Sequence, residues 1–305
     1  MMGMIKHLFI VNPVAGNGIA LKMTKTIHTL FNELKLKYQE ISYEIVYTKE
    51  EGHATEIARK YAADEAYRIY AVGGDGTLNE VLNGMVGGEA ALGCIPGGSG
   101  NDFIKSLVPK FDRKRILMNT VLGQVEEIDV ASVDGRYFIN ISSMGFDASV
   151  VNNVEKFKTL KYLPNKFAYL ASVLDTAKDF KNLSLRMVVD GEELHTEAFM
   201  VAIANGKYYG GGIKIAPEAD HQDGLLDVLL VRDITRAKIM KFLPKAIPGK
   251  HMDLEEVTLM RAKKVDLYSD EPVFINIDGE LEARREAHFL LEDKKVKFIM
   301  PKSAW

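Results

Sequence analysis

Gly73-Gly74-Asp75-Gly76-Thr77, followed by Leu78-Asn79-Glu80, sets three glycines around one acid. An apolar run of β type, Arg68 to Val72, leads into it, and a helical pattern, Leu78 to Val86, leads out. Glycine tolerates positive φ and lets the backbone approach a ligand closely, and a following helix start presents N–H groups to an anion. An aspartate inside a phosphate cradle repels phosphate unless a cation lies between them. The pattern therefore points to a nucleoside triphosphate with Mg²⁺. A tight turn alone would also explain the glycines.

Two further turns have the same build. Ala91 to Ile95 reads as a buried strand and ends in Pro96-Gly97-Gly98-Ser99-Gly100-Asn101-Asp102-Phe103, a polar N-cap pair ahead of an apolar helix. Near the start, His7 to Val11 runs into Asn12-Pro13-Val14-Ala15-Gly16-Asn17-Gly18 and a long amphipathic helix. Such turns put several N–H donors at one edge of a parallel sheet, and in open α/β sheets that carboxyl edge is where ligands bind.

The elements that must position these turns follow from periodicity. After Gly18, Ile19, Met23, Ile27, Leu30, Phe31 and Leu34 form one apolar stripe at helical spacing. Ser42 to Thr48 reads as a strand and Gly52 to Ala63 as a helix, so strand and helix alternate to about Gly123. That alternation implies a doubly wound parallel sheet. From Glu126 the pattern becomes mainly antiparallel β. Strands are expected at Ile128 to Val133, Tyr137 to Ile141, Leu183 to Val189, Glu197 to Ala204, Leu225 to Val231, Val257 to Leu259, Val265 to Tyr268 and Val273 to Ile277. Asp134-Gly135 and Asp190-Gly191 are hairpin signals. Helical stretches interrupt near Lys166 to Lys178 and Arg236 to Ala246. The fold class is α/β plus all-β: a doubly wound parallel N-terminal domain, 1–125, and a β-sandwich-like C-terminal domain, 126–289.

At 305 residues and 47% hydrophobic there is core for one large domain or two ordinary ones. A net charge of −3 gives no general pull toward nucleic acid or acidic lipid. Cys94 is the single cysteine and lies in an apolar run, which excludes a disulfide within the chain and reads as a core thiol. No apolar stretch approaches the ~18 residues that span a bilayer. Pro13 and the glycines cut short the apolar run that a signal peptide would need, and a cytoplasmic protein is expected. There is no Gly-x4-Gly-Lys-Ser/Thr loop and no Gly-x-Gly-x-x-Gly in the glycine-rich turns. The nucleophile elbow is missed by its last glycine, and the histidines show no pairing for a triad or a zinc site.

Taken in order, Asn12-Pro-Val-Ala-Gly16, Gly73 to Thr77 with Asn79-Glu80 and Asn83-Gly84, and Pro96 to Phe103 resemble the soluble diacylglycerol kinase and lipid kinase family. Asn205-Gly206 with Tyr209 to Gly212, Ala216 to Ala219 leading to Asp223 through Asp227, and Asp278-Gly279-Glu280 extend the resemblance over nearly the whole chain. The family is related to sphingosine kinases and, more distantly, to NAD kinases and phosphofructokinases. The resemblance implies an ATP- and Mg²⁺-dependent kinase whose active site lies in the cleft between its domains, with the C-terminal segment, 290–305, returning to the first. It implies that Asn12, Pro13, Val14, Ala15, Gly16, Thr48, Gly73, Gly74, Asp75, Gly76, Thr77, Leu78, Asn79 and Ser99 line the ATP site, with Thr48 nearer the base and ribose.

Phosphoryl transfer needs the γ-phosphate held, its charge neutralised, and a base for the acceptor hydroxyl. Asp75 is the candidate for orienting Mg²⁺ and phosphates; a turn-stabilising role is its alternative. Asp102 is a further candidate acid or merely caps the helix starting at Phe103, and Asp129 matches a family acid or is an exposed strand charge. By resemblance Glu280 is the general base with Asp278 beside it, although sequence alone does not say which does which. A structural Mg²⁺ is implied on the Asp223 side chain and the carbonyls of Asp220 and Leu225; a plain acidic loop is the alternative. Asn17 stands where the family often has a basic residue, Ser99 where it has Thr, and Lys105 where it often has Arg, which loses the bidentate fork.

The acceptor implied is diacylglycerol, giving phosphatidic acid. Another lipid alcohol, a sphingoid base or NAD are alternatives, as is a non-catalytic nucleotide-binding regulator. Lys156 to Phe167, and the helix carrying Lys238, Lys241, Phe242, Lys245 and Lys250, interleave lysines with aromatics. Either could lie on an anionic membrane surface in peripheral contact, or be a solvated helix face. A homodimer is left open, and no nucleic-acid partner is expected.

Overall fold

The computed structural model describes residues 5–37, 41–146, 148–150, 153, 172, 175–176, 180–232 and 234–302. The chain divides into two compact units, Met1–Val130 with Glu292–Trp305, and Ala131–Leu291. The lysine- and aromatic-rich stretch 156–167 and most of the expected helix 166–178 lie outside the described residues.

The first unit is built on a six-stranded sheet in the order β2-β1-β3-β4-β15-β5. Its strands are β1 (Lys6–Val11), β2 (Ser42–Tyr47), β3 (Tyr67–Gly73), β4 (Ala91–Pro96), β5 (Gln124–Ile128) and β15 (Val296–Met300). β1 pairs in parallel with β2 and β3, and β3 with β4. Leu8, Phe9, Ile10 and Val11 are all fully buried, the continuous apolar run of a parallel strand covered on both faces. Helices α1 (Ala15–Lys37), α2 (His53–Tyr61), α3 (Asp75–Met85), α4 (Asp102–Leu107) and α5 (Arg113–Val121) connect these strands. The apolar stripe of α1, Met23, Ile27, Leu30, Phe31 and Leu34, is buried in the same core as Phe9, Tyr70 and Ile95. β15 lies parallel to β4 and antiparallel to β5, so the C-terminal strand is an interior member of this sheet.

The second unit carries a nine-stranded antiparallel sheet, β12-β11-β10-β8-β13-β14-β6-β7, with β9 pairing β10 and β13. Its strands are β6 (Ala131–Val133), β7 (Arg136–Phe138), β8 (Ile141–Gly145), β9 (Leu183–Val189), β10 (Glu192–Ala204), β11 (Leu226–Arg232), β12 (Val257–Ala262), β13 (Lys264–Ile277) and β14 (Glu280–Leu291). Helix α6 (Arg236–Ala246) buries Ile239, Phe242 and Ala246 in the core that holds Phe199 and Leu229.

Four elements differ from the sequence reading, the first being the expected strand Tyr137 to Ile141, which is broken at Ile139 and Asn140 between β7 and β8. The expected strand Ile128 to Val133 is cut at Asp129: β5 ends in the first sheet and β6 begins in the second. Asp129 is 2% exposed and pairs with Lys295 at 2.8 Å, so it is neither a strand residue nor an exposed charge. Val265 to Tyr268 and Val273 to Ile277 are one strand, β13, whose register shifts between Tyr268 and Val273. β14 is the element that periodicity does not reveal. Its first eight residues, Glu-Leu-Glu-Ala-Arg-Arg-Glu-Ala, are helix formers, yet the strand pairs with β13 from Ile277↔Glu280 to Lys264↔Leu290. Tertiary pairing overrides the local preference there.

Candidate active site

β2, β1, β3 and β4 are neighbours, so Thr48, Asn12, Gly74 and Gly98 follow their carboxyl ends side by side. Thr48 N–H donates to Val11 O at 2.9 Å and Asn12 N–H to Val72 O at 3.0 Å, which locks the edge. Asn12 Nδ2 donates to Thr77 Oγ1 at 3.2 Å, joining the first turn to the second.

The glycines are there because backbone meets backbone. A Cβ on Gly98 would fall 2.3 Å from Gly74 Cα, and one on Gly16 would fall 2.1 Å from Gly97 O. Gly16 also has φ +58°, in the left-handed region. The three turns therefore close on one another, and a side chain at Gly16 or Gly98 would strike backbone. Asn101 shapes the third turn: its Oδ1 accepts from Gly98 N at 2.9 Å and its Nδ2 donates to Gly98 O at 2.7 Å.

Asp75 opens α3 and reaches across to the third turn. Its Oδ1 accepts from the backbone N–H groups of Asp102 at 2.7 Å and Phe103 at 3.4 Å. Asp75 thus caps the start of α4, and Asp102, 5% exposed, instead pairs with Lys105 at 2.9 Å. A cavity of about 310 Å³ opens beside the turns, lined by Asn12, Pro13, Val14, Thr48, Ala54 and Thr77 among others. Glu80 Oε2, also on its wall, accepts from Ala54 N at 3.1 Å and ties α2 to α3. Ser99 is exposed at the tip of the third turn. Below the edge, Cys94 is buried and its thiol is pushed up by desolvation and the Asp75 charge, which makes it inert.

In the second unit the two acids of Asp278-Gly279-Glu280 have different surroundings. Asp278 has φ +48° and is 7% exposed. Its carboxylate accepts from Ile139 N at 3.3 Å and Ile141 N at 3.1 Å, and its N–H donates to Ile141 O. Asp278 is spent on fixing the turn against β8. Glu280, a third exposed, pairs with Arg136, which the sequence reading did not single out. The signal was available in the alternation Glu280, Glu282, Arg284, a charged row on one face of β14.

The loop ahead of β11 collects acids. Asp223 Oδ1 accepts from Leu225 N and Asp220 Oδ1 from Gln222 N, and both side chains are exposed. Asp227, 3% exposed, pairs with Arg261 at 3.1 Å, while its Oδ2 has no hydrogen-bond partner among the described residues. Its carboxyl is raised by desolvation, partly offset by Arg261, with the Asp223 and Glu218 charges pushing further the same way. Among the described residues no three His, Cys, Asp or Glu side chains gather as a metal cluster. One carboxylate with backbone carbonyl oxygens is a donor set that suits a hard divalent cation, and the Asp220 carbonyl here also accepts from Asp223 N at 3.5 Å.

Glycine-rich turns after three of four neighbouring parallel strands, in a chain that continues into an antiparallel β unit, define a protein with an N-terminal α/β unit and a C-terminal β unit. Residues 6–133 match the diacylglycerol kinase catalytic domain, and residues 140–299 match the YegS C-terminal NAD kinase beta sandwich-like domain. The diacylglycerol kinase of Bacillus subtilis (strain 168) is 27% identical over 96% of this chain and 95% of its own. That of Mycobacterium tuberculosis (strain H37Rv) is 27% identical over 90% and 91%. A crystal structure from Bacillus anthracis (strain Sterne) superposes with a TM-score of 0.76 at 25% identity, over 97% of this chain and 95% of that one. A diacylglycerol kinase structure from the same strain gives 0.70 at 21%, covering 98% of each, and supports the fold. The chain belongs to the diacylglycerol kinase family of lipid kinases. No helix among its described residues is long and apolar enough to cross a membrane.

Proposed function

We propose that this protein transfers the γ-phosphoryl group of ATP to the free hydroxyl of diacylglycerol, giving phosphatidic acid. The observation that carries the ATP half is the convergence of the Gly16, Gly74 and Gly98 turns, where a Cβ on Gly16 or Gly98 would collide with backbone. Gly73 to Asn79 and Ser99 hold the phosphates through N–H and hydroxyl groups, while Asn12 to Gly16 and Thr48 border the cavity that takes the nucleoside. Bound Mg²⁺ supplies neutralising charge to the phosphates. Asp75 draws that charge to the cradle while its Oδ1 keeps the third turn shut.

Glu280 takes the proton from the acceptor hydroxyl. Asp278 is committed to two backbone N–H donors, whereas Glu280 keeps a third of its surface open, so the two acids divide as support and base. The loop of Asp220, Asp223 and Leu225 holds a second, structural Mg²⁺. The lysines of α6 give peripheral contact with an anionic membrane; Lys238 is already paired with Glu256.

The test is transfer of radiolabel from Mg-ATP to a panel of diacylglycerol, sphingoid base and NAD. Label in phosphatidic acid is the expected result. Label only in another product changes the acceptor, and ATP binding without any product makes the protein a regulator. Glu280→Gln is expected to lower kcat by at least about 100-fold with ATP affinity within about twofold of wild type; full activity removes Glu280 as the base.

A further inference from the structure

Glu280 does not stand alone on its strand. Arg136, on β7, places Nη2 on Glu280 and Nη1 on Glu282 Oε1 at 2.9 Å, so one guanidinium grips two carboxylates. Glu282 is held in turn by Arg284, whose Nε donates to Glu282 Oε2 at 2.9 Å, and Arg284 also pairs with Asp134. Asp134 has φ +49° and belongs to the Asp134-Gly135 turn that delivers Arg136 to β7. The row runs Glu280, Arg136, Glu282, Arg284, Asp134, alternating in sign. Its five members are 26–33% exposed at the side chain, neither core nor free surface.

Such a row is a poor stability device, because half-exposed ion pairs contribute little. It is a good positioning device. A glutamate at a strand start has three side-chain torsions to lose, and a base needs its oxygen within hydrogen-bond reach of the hydroxyl. A planar guanidinium that is itself fixed by Glu282 removes that freedom without touching substrate. Burial works against the Arg136 charge, and the hydrogen bonds to Glu280 and Glu282 outweigh it, so the guanidinium stays charged.

We propose that Arg136 is the positioning residue for the base, holding the Glu280 carboxylate through a planar grip anchored by Glu282. This rests on Glu280 being the base. The experiment is a double-substitution cycle in the full-length protein with Mg-ATP and diacylglycerol. Arg136→Gln is expected to lower kcat about 10- to 100-fold, the range that a misplaced catalytic group costs, with the KM for ATP within about twofold of wild type. In the Glu280→Gln background the same change is expected to have no further effect. Arg136→Lys, which can meet one carboxylate but not both, is expected to recover only part of the loss. Thermal unfolding of each variant must lie close to wild type; if Arg136→Gln fails to fold, Arg136→Lys and Glu282→Gln carry the same cycle.

Equal losses in both backgrounds would show Arg136 acting independently of Glu280 and overturn the proposal. A raised KM for ATP would make Arg136 a phosphate ligand and overturn it too. Full activity of Glu280→Gln would instead remove the base assignment itself, a result distinguishable from either.

Discussion

At the scale of single residues, the cradle is a matter of ångströms at a few glycines. Gly98 and Gly74 carry the same letter in the sequence but have different freedom. A Cβ on Gly98 would lie 2.3 Å from Gly74 Cα, whereas one on Gly74 would lie 3.4 Å from Gly98 Cα, ordinary contact. Gly98→Ala must push two backbones apart, so denaturant unfolding is expected to show it less stable by about 1–3 kcal/mol. Gly74→Ala is expected to cost under about 1 kcal/mol by the same measurement. Equal effects would mean that the turns give way independently. The sequence made the turns legible as a set, because strand, glycines and helix recur together. It did not show which glycines face backbone, since that depends on which strands are neighbours. The role of Asp75 was open for the same reason. Its carboxylate serves α4, 27 residues downstream, and only the adjacency of β3 and β4 brings them together.

At the scale of elements, β1, β3 and β4 were found because burial on both faces leaves them largely apolar, whereas β2 at the sheet edge is only half-buried. β14 was hidden because its composition is helical and its partner β13 supplies the reason to be extended. The charged row on β14 was hidden with it, so Glu280 was legible as a candidate base and its pairing with Arg136 was not. β1 contains a polar exception that its apolar neighbours disguise. His7 is 5% exposed, its Nδ1 lies 2.9 Å from Tyr70 Oη, and Phe31 packs edge-on against it. Desolvation, with the Arg68 charge adding, pulls its imidazole from 6.5 down to about 3. Between those values the unfolded chain binds a proton that the folded chain refuses. The contribution of His7 is therefore complete above pH 6.5 and is lost as pH falls toward 3. Relative to His7→Gln, wild type is expected to lose about 1 kcal/mol of unfolding free energy per pH unit below 6.5, measured by urea titration between pH 7.5 and 4.5. Parallel pH dependences in the two proteins would show that His7 is protonated in the folded state or exposed to water.

At the scale of the whole molecule, one unit carries the glycine-rich turns and the other gathers acids in the loop ahead of β11. The loop from Glu218 to Asp227 sets Glu218, Asp220, Asp223 and Asp227 within ten residues, and Arg261 pairs with Asp227. Desolvation comes first in raising the Asp227 carboxyl, Arg261 partly offsets it, and the Asp223 and Glu218 charges add a smaller push the same way. With Mg²⁺ on Asp223 and the carbonyls of Asp220 and Leu225, the repulsion becomes binding energy available to the folded state alone. The two regimes predict opposite effects of one substitution. Asp223→Asn removes a like charge, so in EDTA its melting temperature is expected to match or exceed that of wild type. Adding Mg²⁺ without nucleotide is expected to raise wild type by several degrees and leave Asp223→Asn unmoved, so that the order of the two proteins reverses. Mass action sets the scale, about 2.7 kcal/mol at a hundredfold excess over the dissociation constant. A Mg²⁺ response that survives in Asp223→Asn would move the ion away from this loop. A wild type indifferent to Mg²⁺ would leave the loop as an acidic turn, and the glycine-rich turns beside Asp75 as the remaining place proposed for a cation.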